Sequence, residues 1–215
     1  MENGKFIVVE GIDGAGKTTL TKMVGAKMNL ESVERKDISR IHPFVYSQMV
    51  KHKQLLWTET GEYDHMLPVA YWIQLQAAWH ILSTEFVVKP LLTQGTNVLM
   101  DGWYYKFMAR LWAQGEDRDF VGMAFSKVME PDYVILLNVD FDTVFERKID
   151  IRAYEYGKFK YDRISEEKKT FVQYQRETFF QLQNMKKENW FELILGRCSL
   201  EESYMLLKQK IIELL

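Results

Sequence analysis

The chain has 215 residues, 47% of them hydrophobic, and its 28 Lys and Arg nearly balance 30 Asp and Glu, for a formal net charge of -2. That length predicts a single domain with one core, and the charge gives no electrostatic reason to expect a nucleic-acid polymer or an anionic membrane as partner. The single cysteine, Cys198, excludes an intrachain disulfide. No Cys/His cluster has zinc spacing, no apolar run is long enough to span a bilayer, and "MENGKFIVVEG" lacks a signal-peptide pattern, so a cytoplasmic protein is expected.

Short apolar runs alternate with segments of helical period, which predicts an α/β fold with a parallel sheet covered by helices on both faces. The predicted strands are Phe6–Glu10, Asn97–Asp101, Tyr133–Val139 and Phe191–Leu195, with a fifth, weaker in pattern, at Ser32–Arg35. The predicted helices are Lys17–Asn29, Pro68–Leu92, Phe141–Ile149, Ser165–Asn189 and Ser199–Leu214. The last begins with Ser199-Leu-Glu-Glu202, the pattern of a capping box. We interpret residues 1–215 as one domain.

The stretch "GIDGAGKTT" fits G-x-x-x-x-G-K-[ST] and lies between a predicted strand and a predicted helix. Glycines let backbone N–H groups wrap around phosphates, and the helix that starts near Lys17 points its positive end at them. Lys17 would bridge the terminal phosphates, and the Thr18 hydroxyl would be a ligand of Mg2+. The pattern predicts nucleoside triphosphate binding by this loop, at Gly11, Asp13, Gly14, Ala15, Gly16, Lys17, Thr18 and Thr19.

A carboxylate ends the third predicted core strand, in "NVLMDGWYY" at Asp101. In a sheet with the phosphate loop after its first strand, an acid at the carboxyl end of a neighbouring strand reaches the same crevice. Asp101 could there orient Mg2+ or take a proton from the acceptor. Glu10, which ends the first strand, is a weaker candidate for a helper.

The segment 147–163, "RKIDIRAYEYGKFKYDR", is polar, basic and aromatic, and we expect a mobile loop there. No N-K-x-D motif of a switch GTPase is present, and neither the size nor the acidic pairs of a motor ATPase are evident. A small-molecule kinase needs a basic lid that excludes water from the transferred phosphoryl group. This segment fits that role, with Arg152, Lys158, Lys160 and Arg163 available to neutralise charge.

Four stretches follow one another in the order and spacing of thymidylate kinases: "FIVVEGIDGAGKTT", "VVKPLLTQGTNVLMD", "PDYVILLNVDFDTVFERK" and "YDRISEEKKTFVQYQRETFFQL". The chain resembles this family over nearly its whole length. The resemblance implies a P-loop kinase fold with a five-stranded parallel sheet, and commonly a homodimer. It also implies MgATP as phosphoryl donor and a nucleoside monophosphate, typically dTMP, as the small-molecule acceptor.

The resemblance also assigns roles on the donor side. Family members without a basic residue at the place of Ala15 take their catalytic arginine from the lid, for which Arg152 is the first choice and Lys158 and Arg163 are the reserves. Arg197, after the last strand, resembles the position at which the family holds the adenine.

The departures from the family fall on the acceptor side. The family's Asp-Arg after the third core strand is Asp101-Gly102 here, so the arginine that would hold the acceptor phosphate is missing. A second such arginine, on the preceding long helix, aligns with His80. Family residues that line the base pocket are replaced by Lys106 and Arg110, among others.

Two hypotheses follow for the acceptor. Lys106 and Arg110, four residues apart and so on one helical face, could replace the lost arginines as phosphate clamps. Alternatively, the acceptor carries no phosphate: aromatic side chains would stack on its ring and Asp101 would act as base on a hydroxyl. The stacking candidates are Trp72, Trp79, Trp103 and Tyr104, whose alternative role is core packing, just as His80 is also explained as an interior histidine. A third hypothesis is a catalytically silent nucleotide-binding protein.

Overall fold

The computed structural model describes residues 3–28, 30–34, 42–58, 66–147, 155, 157 and 167–215. Five parallel strands form one sheet in the order β2-β3-β1-β4-β5. The strands are β1 Phe6–Gly11, β2 Glu31–Glu34, β3 Val98–Asp101, β4 Tyr133–Val139 and β5 Trp190–Gly196. The predicted α/β class with a five-stranded parallel sheet is confirmed, and β2 begins and ends one residue before the predicted fifth strand.

Nine α-helices are present in the described part of the chain. They are α1 Lys17–Met28, α2 Pro43–Lys53, α3 Val69–Ser83, α4 Lys89–Thr93, α5 Tyr105–Ala113, α6 Arg118–Phe125, α7 Phe141–Arg147, α8 Glu167–Asn184 and α9 Leu200–Leu214. Helices α2, α5 and α6 are absent from the predicted helices, although the clamp hypothesis takes Lys106 and Arg110 to lie on one helical face. The pattern of α2 is weak because it buries a single residue, Met49.

The helix predicted at 68–92 consists of three parts, α3, a π-helical turn Thr84–Val88 and α4. Pro90 lies in the first turn of α4. Proline cannot donate the backbone hydrogen bond of an α-helix interior and crowds the preceding turn, and a wider turn before it relieves that conflict.

The helices fall into two groups, one on each face of the sheet. Helix α1 packs against α9, whereas α5 packs against α8, α3 against α6, and α7 against α8. This division is the one that right-handed crossovers, the rule for parallel strands, would give, because the chain moves from β1 to β2 at one edge and then back across the sheet from β2 to β5. The two-sided cover explains the near-continuous apolar strands.

Burial follows the strand order. The apolar side chains of the central strand β1, from Phe6 to Val9, are at most 1% exposed. Each such side chain contributes about 1.5–3 kcal/mol by leaving water. On the edge strand β5, Ile194 is 73% exposed. The most deeply buried strand therefore leads directly into the loop that follows β1.

The capping box predicted at Ser199 is confirmed. The Glu202 backbone N–H donates to Ser199 Oγ at 3.3 Å, and the Ser199 backbone N–H donates to Glu202 Oε2 at 2.8 Å. Helix α9 therefore starts at Leu200 with two of its free backbone donors satisfied.

A second, smaller apolar cluster lies between α2 and α3. Its buried members are Met49, Leu56 and Trp79, and Trp57 and Trp72 pack against them. The rings of Trp57 and Trp79 meet edge to face at 5.0 Å. Among the helices that the structure describes, none is long and apolar enough to cross a membrane.

Candidate active site

The predicted phosphate loop connects β1 to α1 over Gly11–Thr19. Gly14 and Gly16 have φ angles of 79° and 84°, in the left-handed region that glycine adopts without strain. The Ala15 N–H turns back to the carbonyl of Ile12 at 3.4 Å. Helix α1 begins at Lys17, so its first backbone N–H groups and the positive end of its dipole face the hollow of the loop.

Lys17 lies folded over this loop. Its Nζ donates to the carbonyl of Gly11 at 2.9 Å and to that of Ile12 at 2.7 Å. Burial, and then the positive charge of Lys106, lowers the pKa of Lys17 from its ordinary 10.5 to about 7. Nearby carboxylates, the largest contribution being that of Asp13, act in the opposite direction. An anion in the loop would favour the charged form of Lys17.

Thr18 and Asp101 meet at the carboxyl-terminal end of the parallel strands, as the sequence predicts. Strand β3 lies beside β1 with Asp101 in register with Val9, which brings its carboxylate to the start of α1. Thr18 Oγ1 donates to Asp101 Oδ2 at 2.5 Å. These are hard oxygen donors, the kind that Mg2+ prefers, so this pair fits the metal position predicted for it.

Gly102 closes the turn after Asp101. Its φ is 72°, its N–H donates to the carbonyl of Val9 at 3.0 Å, and an added Cβ would lie 4.0 Å from Cε of Lys17. Space is adequate there, but the left-handed backbone opposes a side chain such as the family's arginine. The local backbone conformation therefore favours the glycine that stands here in place of the family's arginine.

Asp13 is the centre of a buried charge cluster that links the loop to α5. Lys106 Nζ donates to Asp13 Oδ1 at 2.7 Å, and Arg110 Nη2 donates to Asp13 Oδ2. The side chains of Asp13, Lys106 and Arg110 are only 10%, 12% and 16% exposed. Burial alone would raise the pKa of the Asp13 carboxyl, but the charges of Arg110 and Lys106 outweigh it and hold that pKa well below its usual range.

Lys106 and Arg110 therefore do share one face of a helix, as their spacing predicts, and they lie next to the phosphate loop. The sequence analysis did not predict their partner. Among the described side chains, two cations thus meet one carboxylate close to Lys17, and such cations are also suited to bind an anionic ligand.

Gln175 is a site residue that the sequence analysis missed. It lies on α8, is fully buried, and its Oε1 accepts the backbone N–H of Asp13 at 3.3 Å. Its Nε2 donates to the backbone carbonyl of Glu155 at 2.9 Å. A glutamine within a predicted helix carries no pattern signal, because only the packing of α8 against α5 reveals that it faces the loop.

The other acids and aromatics near the crevice make interior contacts. Glu10 is fully buried, and its Oε1 accepts the backbone N–H of Trp103 at 2.7 Å, so it supports the turn at Gly102. Trp103 is also fully buried, meets Phe6 edge to face at 5.5 Å, and donates its indole N–H to the carbonyl of Met129. Stacking of an acceptor on Trp103 stays a prediction.

His80 and the remaining aromatic candidates lie within packed regions. The fully buried His80 ring contacts the ring of Trp103 at 4.9 Å, and its Nδ1 is 2.7 Å from the carbonyl of Gln76. Trp79 is fully buried and Trp72 packs against the smaller cluster. Burial raises the pKa of Tyr104 to about 12, which keeps its hydroxyl neutral. These contacts are the ones expected of core packing, the alternative role given above for each residue.

The predicted lid falls largely outside the described residues, which exclude Arg152, Lys158, Lys160 and Arg163. Of this segment the structure places Arg147, the exposed last residue of α7, and the buried positions 155 and 157. Gly157 has a φ of 70°.

Arg197 lies in the turn after β5 with its side chain 77% exposed. Its Nε is 3.5 Å from Asp140 Oδ1. Asp140 caps α7, since it accepts from the backbone N–H and hydroxyl of Thr143. These hydrogen bonds, and then Arg197, lower the pKa of Asp140. Arg197 is thus exposed and near β4 and β5, and its adenine role stays a prediction.

Known proteins are similar to this chain in sequence and in fold. The probable thymidylate kinase of Thermococcus gammatolerans is 27% identical over 187 residues, which cover 86% of each chain. The thymidylate kinase of Brachyspira hyodysenteriae is 25% identical over 154 residues, 70% of this chain and 71% of that one. A solved thymidylate kinase structure from Candida albicans superposes with a TM-score of 0.67 at 17% identity, covering 98% of this chain and 92% of that one. The thymidylate kinase family profile matches residues 9–202, and the chain belongs to that family.

Proposed function

We propose that this protein is an ATP- and Mg2+-dependent nucleoside monophosphate kinase that phosphorylates dTMP. The observation that carries the proposal is the meeting of Lys17, Thr18 and Asp101 around one phosphate-binding loop. The curated relatives described above are named as thymidylate kinases. Family membership thus supplies the reaction class, and the loop geometry supplies a place for its donor.

On the donor side, Lys17 and the backbone N–H groups at the start of α1 would bind the β- and γ-phosphates. Thr18 and Asp101 would hold Mg2+, which neutralises charge on the phosphate oxygens when it is bound. The bond from the γ-phosphorus to the β,γ-bridging oxygen breaks and a bond to an acceptor oxygen forms, so that ADP leaves. A dTMP phosphate oxygen is already anionic at neutral pH, so this acceptor needs no base.

On the acceptor side, Lys106 and Arg110 would bind the phosphate of dTMP. Both side chains contact Asp13 of the phosphate loop, and this position beside the loop supports a clamp of this kind. The lid basics Arg152, Lys158 and Arg163 would stabilise the transferred group, as the resemblance implies.

A second acceptor class is supported by Gly102, which stands where the family has an arginine. An unusual nucleotide, a nucleoside or another hydroxyl compound would then be phosphorylated, and Asp101 would have to accept the hydroxyl proton. The Candida albicans thymidylate kinase is described as having broad substrate specificity.

The test is ADP release measured with a panel of nucleoside monophosphates and matching nucleosides. We expect dTMP to give the highest kcat/KM and thymidine to give little or none. A nucleoside preferred over every monophosphate would favour the second class. ATP binding without turnover on any acceptor would instead indicate the silent nucleotide-binding protein.

We also propose that the protein is a homodimer. The apolar side chains of Phe44 on α2 and Tyr71 on α3 are 67% and 37% exposed, which supports a partner surface on these helices. Light scattering should give twice the monomer mass, and a monomer mass at micromolar concentration would contradict it. The cytoplasmic location expected from the sequence stays a prediction.

A further inference from the structure

Gln175 makes contacts on both sides of its amide, and both partners are backbone groups of the candidate site. It accepts the Asp13 N–H at 3.3 Å, at the long end of the N–H···O range, and donates to the Glu155 carbonyl at 2.9 Å. Gln175 is fully buried and Glu155 is 5% exposed. Water therefore cannot easily replace either hydrogen bond.

The contact with Asp13 affects the phosphate loop directly. The Asp13 N–H points to Gln175 and the Ala15 N–H points to Ile12, so neither donor is directed at a phosphate. The N–H groups that remain for phosphates come later in the loop and at the start of α1. Gln175 holds Asp13 by its backbone, while Lys106 and Arg110 hold it by its side chain. Contacts from α5 and α8 thus converge on one residue of the loop, Asp13.

The contact with Glu155 extends this connection to the segment 147–163. Glu155 lies between the predicted lid residues Arg152 and Lys158, and one buried amide joins its carbonyl to the loop. At this length of side chain, a neutral amide can accept on one side and donate on the other, as these two contacts require. A carboxylate could not donate to the Glu155 carbonyl, and an apolar side chain could do neither.

We propose that Gln175 is a positioning residue for the donor: it sets the direction of the phosphate loop through Asp13 and ties the loop to the backbone at Glu155. ATP binding and the hydrogen bond at the Glu155 carbonyl then depend on each other, since coupling between two sites is reciprocal. The inference rests on the proposed donor role of the loop and is independent of the acceptor.

The test compares Gln175→Met, which keeps the length of the side chain and removes both hydrogen bonds, with Gln173→Met. Gln173 is an exposed residue of the same helix whose amide contacts Glu177 at 3.3 Å. We expect Gln175→Met to weaken binding of a non-hydrolysable ATP analogue about tenfold by calorimetry, the loss typical of a buried hydrogen bond. The KM for the acceptor should change less than twofold, and Gln173→Met should bind as wild type.

Two results would overturn the proposal. One is wild-type affinity of Gln175→Met for the analogue. The other is an equal rise in both KM values with a lowered melting temperature, as expected of a residue that only stabilises the fold. Because donor binding is measured without an acceptor, failure of the proposed dTMP kinase activity would not affect this result.

If Gln175→Met does not fold, hydrogen exchange of the wild-type protein tests the same connection. Binding of the ATP analogue should slow amide exchange in the peptide that contains Glu155. Unchanged exchange there, with slower exchange in the phosphate loop, would contradict the proposal.

Discussion

The donor and acceptor sides of the candidate site are built in different ways. On the proposed donor side, the nine consecutive residues Gly11–Thr19, from the end of β1 to the first turn of α1, supply the loop, and the neighbouring strand adds Asp101. On the acceptor side, α5 supplies cations whose partner lies about 95 residues earlier in the chain, at Asp13. The loop therefore depends on a contiguous motif, whereas the pairing of the α5 cations with Asp13 depends on how α5 packs beside the loop.

The largest effect is expected from a substitution on the donor side alone. Lys17→Ala removes the cation that would bridge the donor phosphates, so ATP binding should weaken by at least about a hundredfold. Calorimetric titration with ATP measures it. Lys187→Ala is the matched control, because Lys187 is 53% exposed and pairs with Glu130 at the surface. If Lys17→Ala binds ATP like this control, the phosphate-loop assignment is wrong.

Replacing Asp101 tests whether it serves the metal or the acceptor. Asp101→Asn keeps the shape and removes the charge, and we expect turnover to fall about a hundredfold with a higher Mg2+ requirement. The rate as a function of free Mg2+, at saturating ATP, measures this.

A loss at Asp101→Asn that Mg2+ does not relieve, and that is confined to hydroxyl acceptors, would favour the role of a base. An unchanged rate would remove Asp101 from both roles.

The acceptor side is tested by Arg110→Ala. A lost charged hydrogen bond to phosphate should raise the acceptor KM about tenfold to a hundredfold. The KM for ATP should change much less, because Lys106 still pairs with Asp13. Steady-state kinetics with each substrate varied separates the two effects.

Arg118→Ala, on the adjacent helix α6, is the control, since Arg118 contacts Gln181 and Trp112 instead. If Arg110→Ala raises the KM for ATP more than that for the acceptor, Arg110 acts through Asp13 on the donor loop.

The smallest expected effect is the uptake of protons that accompanies ATP binding. Lys17 has a pKa of about 7 without ligand, and bound phosphates should raise it. ATP binding at pH 8 should therefore take up part of one proton, and binding at pH 6 almost none. Calorimetry in buffers of different ionisation enthalpy measures this uptake, and Lys17→Met should abolish it. Equal uptake at both pH values would contradict the account.

The same pKa fixes a stability trend for the ligand-free protein. A lysine whose pKa is lowered on folding binds fewer protons in the folded than in the unfolded chain between about pH 7 and its ordinary 10.5. The contribution of Lys17 to the free energy of unfolding therefore rises with pH across that window. Denaturant unfolding of the wild type and of Lys17→Met at pH 7 and pH 9 measures this contribution. The free energy of unfolding of the wild type minus that of the variant should be larger at pH 9, and a smaller difference at pH 9 would contradict the prediction.

Much of the fold could be predicted because the strands are short apolar runs. Strand β4 matches its predicted bounds, and the strand ending at Asp101 starts one residue late. Helices α2, α5 and α6 are absent from the predicted helices: α2 buries only Met49, and α5 and α6 have nine and eight residues. The π-helical turn at Thr84–Val88 interrupts a pattern that otherwise reads as one helix.

The candidate site also has one part that the sequence predicts and one part that it does not. The phosphate loop and its contact with Asp101 follow from a contiguous motif and the rule that parallel strands end at one edge. The pairing of Asp13 with Lys106 and Arg110, and the bridge through Gln175, depend on how α5 and α8 pack. No local pattern encodes that packing, so these contacts appear only in three dimensions.

The most direct test of the central claim is detection of dTDP by chromatography after incubation with ATP, Mg2+ and dTMP. A dTMP kinase should give dTDP and ADP in equal amounts, and the Lys17→Ala variant should give neither product above background. ADP formed at the same rate without dTMP, or no dTDP despite bound ATP, would contradict a dTMP kinase.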